Sequence, residues 1–332
     1  MLEHGGRLRI AAQTYNIPLE SWVDLSTGIS PWCYPVPQIP ESVWHRLPEP
    51  DDELDSAAAS YYGTKRLLAT SGSQATIQAL PRLFAPCEMV IVGPTYNEHA
   101  AAWRTAGHQV CFVADLAAAE AQRAPITLLC NPNNPTATHV NRTTLLSAAK
   151  ELYVHNGWLI VDEAYGDASP ELSVTADAGA MTTPQLITLR SLGKFFGLAG
   201  ARVGFAFGDQ TLLNRLNEAL GPWPISGPAR LVATQALQDH AWQNKQRDRI
   251  HCAGDRLRQL LQSTFPSIDI HATGLFSTCA LTSVAEAQSL FEHLAKQGIL
   301  ARLFEDTALV RIGIPDDGSW SRFEDALKSW KH

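Results

Sequence analysis

Ile126-Thr-Leu-Leu-Cys-Asn-Pro-Asn-Asn-Pro-Thr136 and Trp158-Leu-Ile-Val-Asp-Glu-Ala-Tyr165 together decide the architecture. Each is an apolar run that turns abruptly polar. Successive side chains of a strand point to opposite faces of its sheet, so a strand apolar at every position is covered on both faces. Between the two runs, Thr144 to His155 carries Leu145, Leu146, Ala149 and Leu152 at helical spacing. Buried strand, helix and buried strand make the unit of an α/β protein with a mainly parallel sheet.

The alternation extends in both directions. Met89 to Val92 reads as a strand ended by Gly93-Pro94, Tyr96 to Ala106 as a helix and Gln109 to Val113 as a strand. Leu186 to Leu189 and Val203 to Phe207 continue the pattern downstream. The polar clusters Asn131–Thr136, Asp162–Tyr165 and Arg190–Lys194 all stand at strand carboxyl ends, where open α/β sheets bind their ligands. Upstream, the proline-rich stretch from Pro31 to Pro50 reads as irregular. Beyond Gly221-Pro-Trp-Pro224 the character changes. One long helical stretch is expected from about Pro228 to Thr264, then strands at Ser277–Leu281 and Ala308–Ile312 and helices at Val284–Gln297 and Trp320–Trp330. The expected organisation is an N-terminal arm over residues 1–45, a large domain over 46–225 and a smaller α+β domain over 226–332.

Composition narrows the function classes. A net charge of −7 over 332 residues, with no Lys/Arg-rich run, argues against nucleic acid and against an anionic membrane surface. No apolar stretch is long enough to span a bilayer, and the start MLEHGGRLRI has no signal-peptide core, so a cytoplasmic protein is expected. The six cysteines form no C-x-x-C pair and no zinc spacing, so no metal site is expected; Cys111 and Cys130, within apolar runs, read as buried free thiols.

Several short elements could carry chemistry. Thr70-Ser-Gly-Ser-Gln-Ala-Thr-Ile77 is a small-residue turn opening a helix, which suits a phosphate. Tyr96 follows a strand end, Ser191-Leu-Gly-Lys194 stands at another, and Gly200-Ala-Arg-Val-Gly204 follows it. Singly these are a capped helix, a packing tyrosine, a surface lysine and a structural arginine. In their order and spacing, from Thr70 to Gly204, they resemble the fold-type I, class I/II aminotransferase-like enzymes. That resemblance implies a large domain with a mainly parallel seven-stranded sheet covered by helices, and pyridoxal 5'-phosphate (PLP) held as a Schiff base on Lys194. It implies that Asp162 pairs with the pyridinium nitrogen, Asn134 and Tyr165 bond the phenolic oxygen, and Tyr96 stacks on the ring. Ser191, Arg202 and the N–H groups of Ser73 and Gln74 would hold the phosphate. Arg311, in Val-Arg-Ile-Gly-Ile, matches the family's substrate-carboxylate arginine.

The N-terminus adds a second resemblance. His4-Gly-Gly6 and Trp22-Val-Asp-Leu-Ser-Thr-Gly-Ile-Ser-Pro31 look like the threonine-phosphate decarboxylases of cobalamin biosynthesis, relatives of the histidinol-phosphate aminotransferases. This implies a small phosphorylated amino-acid substrate, O-phospho-L-threonine, with His4, Gly5, Gly28, Asn134, Arg302 and Arg311 around it, and a homodimer. The same residues serve a decarboxylase or an aminotransferase of an amino phosphate such as histidinol phosphate, because the outcome depends on which Cα bond is held perpendicular to the ring. A non-catalytic binding module would have no use for Lys194, Asp162 and Arg311 together. Three positions depart from the resemblance: Ala137 stands where glycine is usual, Leu47 where aminotransferases place a tyrosine that reaches the neighbouring subunit's cofactor phosphate, and Gly28 where relatives often carry asparagine.

Overall fold

The computed structural model describes residues 4–330. The chain divides into two compact units. One comprises Cys33–Asn134 and His139–Lys245; the other comprises the chain through Trp32, Pro135–Thr138 and everything from Gln246 onward. Of the expected arm, residues up to 32 belong to the second unit and the rest to the first.

The first unit is an α/β layer structure around a seven-stranded sheet. Across the sheet the strands are Leu67–Thr70, Gly204–Phe207, Leu186–Ser191, Trp158–Asp162, Ile126–Cys130, Glu88–Val92 and Gln109–Val113. From Leu186–Ser191 to the Gln109–Val113 edge every neighbouring pair is parallel. Gly204–Phe207 runs antiparallel to both its neighbours. No crossover helix separates it from Leu186–Ser191, and without one a strand returns antiparallel. The connecting loop therefore keeps Lys194 and Arg202 at the same end of the sheet. The core includes Met89, Ile91, Trp103, Ile126, Leu128, Ile160 and Ile187.

Two expectations are corrected. Cys130 is buried, but Cys111 is exposed, because Gln109–Val113 is an edge strand with a single neighbour. The long helix is two helices, Gly227–Gln238 and His240–Thr264. Asp239 leaves helical geometry with ψ 76°, and its carboxylate accepts from the Trp242 N–H at 2.9 Å, starting the second helix afresh.

The second unit holds an antiparallel sheet in the order Arg302–Phe304, Leu309–Gly313, Phe276–Ala280, Asp269–Ala272. Val23–Asp24 pairs in parallel with Ile299–Leu300. Helix Val284–Lys296 is capped by the Ser283 hydroxyl, which accepts from the Glu286 N–H. Among the described residues no helix is long and apolar enough to cross a membrane.

Candidate active site

In the first unit the polar strand ends converge. Trp158–Asp162 delivers Asp162, 4% exposed, whose Oδ1 accepts from the Ala164 N–H at 2.9 Å. Its Oδ2 lies 2.8 Å from His99 Nε2, which comes from helix Asn97–Thr105. Burial disfavours a charged His99, but its interactions with Asp162 and Cys130 together outweigh it and hold the imidazole's pKa up at about 10. His99 thus faces the Asp162 carboxylate as a protonated imidazole. His99, Cys130 and Asp162 bring donor atoms within 4.8 Å of one another, and the His99–Asp162 bond occupies two of these residues.

Lys194, half-buried, carries its Nζ 5.2 Å from the centre of the Tyr165 ring. Tyr96 is the residue just before helix Asn97–Thr105, and its ring centre lies 6.0 Å from that of His99. Burial first, then Glu98, Asp162 and Tyr165, push its hydroxyl up to about 12 against the opposing charge of Arg202, so it stays a neutral phenol. That hydroxyl donates to Gln74 Oε1 at 3.2 Å, while Gln74 Nε2 donates to Glu98 Oε2 at 2.9 Å. Asn134 is half-buried beyond the Ile126–Cys130 strand. Its neighbour Asn133 is buried and locked, accepting from Thr95 Oγ1 at 2.7 Å and donating to the Pro94 carbonyl at 2.8 Å. Asn131 clamps the ends of the same loop, bonding both the N–H and the carbonyl of Val140.

An anion cradle lies at the start of helix Gly72–Ala79. The first N–H groups of a helix have no partner inside it and carry partial positive charge. Arg202 adds a full positive charge there: a Cβ on Gly72 would sit 2.6 Å from Arg202 Nη2, and one on Gly204 would sit 2.5 Å from the Ser73 nitrogen. Arg202 is itself left-handed, with φ 53°. Two positive ends at one place repel each other unless an anion neutralises them. Ser191 lies close by in sequence, its Oγ accepting from the Gly193 N–H at 3.3 Å. An amine, a buried carboxylate, a neutral aromatic phenol and a cationic helix start are the set PLP requires, so these residues fit that cofactor.

Behind the site a buried charge network ties two of its loops together. Arg190 Nη1 lies 2.6 Å from Glu163 Oε2 and its Nη2 2.5 Å from Asp167 Oδ1, with all three side chains essentially inaccessible. Glu163 also accepts from Thr175 Oγ1 and the Val174 N–H. Glu163 follows Asp162 and Arg190 precedes Ser191, so the network fixes both neighbours. A Cβ on Gly166 would strike the Arg190 guanidinium.

The second unit gathers the other candidates. Arg302 and Arg311 are direct cross-strand partners, and both guanidinia approach the Phe304 ring, at 5.2 and 5.8 Å. Arg311 is buried and donates through Nη2 to the Ser26 carbonyl. His4 and Gly5 are half-buried, and a Cβ on Gly5 would run into that same carbonyl. Gly28 is buried with φ 60°, a left-handed conformation that asparagine also tolerates. Ala137 keeps the left-handed turn expected of glycine, with φ 60°.

Residue-by-residue reading of the sequence missed His99, the Gln74 side chain and Arg190. A signal existed for His99: Tyr96 and His99 are three apart at a helix start, so they share a face.

The profile of the family described as aminotransferase class I and II matches residues 40–320. The chain is similar to a threonine-phosphate decarboxylase of Pseudomonas aeruginosa, 46% identical, covering 100% of this chain and 98% of that one. It is similar to a threonine-phosphate decarboxylase of a Sinorhizobium species at 38% identity, covering 98% and 97%. Its fold is similar to that of histidinol-phosphate aminotransferase from Sinorhizobium meliloti, solved in complex with PLP, with a TM-score of 0.81 at 19% identity, covering 98% and 94%.

Proposed function

The chain belongs to the aminotransferase class I and II family, and from that premise we propose that it is a PLP-dependent decarboxylase of O-phospho-L-threonine, yielding (R)-1-aminopropan-2-yl phosphate and carbon dioxide. The observation that carries the substrate is the Arg302–Arg311 pair. Like charges directly opposite on a sheet are destabilising, so such a pair is expected where a ligand brings two anionic groups. The two decarboxylase relatives, 46% and 38% identical over nearly the whole chain, favour this reaction over the aminotransferase reading, whose relatives are more distant, such as a histidinol-phosphate aminotransferase 30% identical over 78% of the chain.

When bound, PLP accepts the electron pair left at the substrate Cα as a bond to that carbon breaks. The protein's residues do the rest. The Lys194 amine carries the cofactor and delivers the proton to Cα after carbon dioxide leaves. Asp162, oriented by its hydrogen bond with His99, would hold the proton on the ring nitrogen. Asn134 and Tyr165 hold the phenolic oxygen, and Tyr96 covers one ring face. The N–H groups of Ser73 and Gln74, with Ser191 and Arg202, hold the cofactor phosphate. Arg311 takes the substrate carboxylate; Arg302, His4 and Gly5 take its phosphate; and Gly28 lines the substrate without a side chain to offer. For decarboxylation these contacts would have to place the bond to the carboxylate, and not the Cα–H bond, where it is activated.

The decisive assay offers O-phospho-L-threonine alone and then with a keto-acid acceptor. Release of carbon dioxide without acceptor is the expected result. Acceptor-dependent keto product with no carbon dioxide would establish the aminotransferase instead.

The proposal extends to a cytoplasmic homodimer working in cobalamin biosynthesis. Val36, Trp44, Leu47 and Trp223 are large apolar side chains left exposed, which supports burial by a second copy. All six cysteines are free, which suits a reducing compartment. Light scattering on the purified protein should return twice the chain mass of 36.2 kDa.

A further inference from the structure

Ser26 has a buried hydroxyl, and the residues assigned above leave it without a role. The chain leading to it is fixed by main-chain hydrogen bonds on both sides. Val23 N–H donates to the Gly298 carbonyl at 2.9 Å and Leu25 N–H to the Leu300 carbonyl at 2.8 Å. The Leu25 carbonyl accepts from the Gly313 N–H at 2.7 Å. Gly313 lies two residues beyond Arg311 on the same strand, so Ser26 emerges beside that arginine.

Ser26 is 1% exposed and every polar atom it has is engaged. Its N–H and its hydroxyl both donate to Asp24 Oδ1, at 2.9 and 2.6 Å. Donation to Asp24 fixes the hydroxyl rotor, so its lone pairs face the Gly6 N–H, which donates to it at 2.7 Å. The Ser26 carbonyl accepts from Arg311 Nη2. Gly5 packs on that carbonyl so closely that any Cβ would collide with it, and Gly6 is left-handed with φ 79°. The glycines of His4-Gly5-Gly6 are thus required by contact with Ser26 and by backbone conformation.

We propose that Ser26 is a positioning residue that couples the His4-Gly5-Gly6 segment to the Arg311 guanidinium and so sets the aim of that arginine at the substrate. The proposal rests on Arg311 being the substrate arginine. One arm of its fork is oriented by the Ser26 carbonyl, and the carbonyl is itself held by the Asp24–Ser26–Gly6 bonds.

Two substitutions disturb the coupling from opposite sides: Ser26→Ala removes the hydroxyl, and Gly5→Ala pushes on the carbonyl. For each holoenzyme, kcat and KM for O-phospho-L-threonine are measured with PLP content and melting temperature. KM should rise about tenfold, the equivalent of one hydrogen bond to a charged group. The fall in kcat should be smaller, and PLP content should stay at wild-type level. Hydrogen exchange at the Gly6 amide should quicken in Ser26→Ala. In an Arg311→Ala background, Ser26→Ala should add almost nothing, because it acts through that side chain. An unchanged KM in both single variants, or full additivity with Arg311→Ala, overturns the coupling while leaving Arg311 in place. If Arg311→Ala itself leaves KM unchanged, the substrate-arginine assignment falls and this proposal falls with it. Should Ser26→Ala fail to fold, Asp24→Ala, which removes the acceptor that holds the Ser26 N–H and hydroxyl, takes its place with the same KM and Arg311→Ala double-variant readouts.

Discussion

His99 Nε2 and Asp162 Oδ2 lie 2.8 Å apart in a part of the first unit that water does not reach, with side-chain exposures of 1% and 5%. In the unfolded chain the imidazole titrates near its ordinary value of about 6.5. Folded, it keeps its proton to about 10, because its bonds to Asp162 and Cys130 together outweigh the burial that opposes charge. Between those values the folded state binds more protons than the unfolded state. The stabilisation is complete below about pH 6.5 and is lost as pH rises through about 10. The melting temperature of wild type should therefore fall from pH 7 to pH 10 more steeply than that of His99→Gln. Equal slopes would show that the pair does not carry the proton.

Lys194→Ala should abolish the yellow colour of lysine-bound PLP and lower kcat by about two to four orders of magnitude, the usual worth of a positioned proton-transfer group. Absorption spectroscopy and carbon dioxide release check the two halves separately. A variant that stays yellow with near-normal turnover would remove Lys194 from the chemistry.

Arg202 sits against the Gly72 end of its helix, where a bare cation is unfavourable. Arg202→Gln should weaken PLP retention by about 10- to 100-fold, as expected for charge-assisted phosphate bonds. The same change should leave the melting temperature of apoprotein unchanged or higher. Equilibrium dialysis against free PLP and a thermal melt of apoprotein provide the two measurements.

The buried Arg190 faces two carboxylates, Glu163 and Asp167. Replacing it with methionine strands both, and breaking such a network costs about 3–5 kcal/mol. Urea denaturation of Arg190→Met should show a loss of that size; a loss below about 1 kcal/mol would mean the carboxylates find other partners.

Much of this was legible in the sequence, and the limits have physical causes. Strands buried on both faces announce themselves as apolar runs, so Ile126–Cys130 was read to the residue. The burial of Cys111 was misread because an edge strand looks apolar in sequence yet has one neighbour. The break at Asp239 was missed because one aspartate on a helical pattern reads as a surface residue until its carboxylate is seen capping Trp242. Lys194, Asp162 and Asn134 stood out because strand-end motifs carried them. His99 did not, since it acts through Asp162 and belongs to no run with its own signature; Ser26 stands inside the Trp22–Pro31 run, but its contacts to Asp24, Gly6 and Arg311 show only in the fold.

Arg302 provides a test in which stability and function should move in opposite directions. It stands directly across the strand pair from Arg311, and both guanidinia crowd the Phe304 ring. Such a like-charge pair costs roughly 0.2–1 kcal/mol in the free protein. A residue that costs stability is retained for what it binds. Arg302→Gln keeps two of the three stem methylenes and a polar end, and removes the charge. Its melting temperature without substrate should match wild type or exceed it by a few degrees. Its KM for O-phospho-L-threonine should rise by about 10- to 100-fold, because the substrate phosphate loses a charged partner. L-threonine, which lacks the phosphate, should bind the variant and wild type alike, and this separates loss of a phosphate contact from a general distortion. A lowered melting temperature with an unchanged KM would make Arg302 a structural residue of the sheet and would leave the substrate phosphate to other groups.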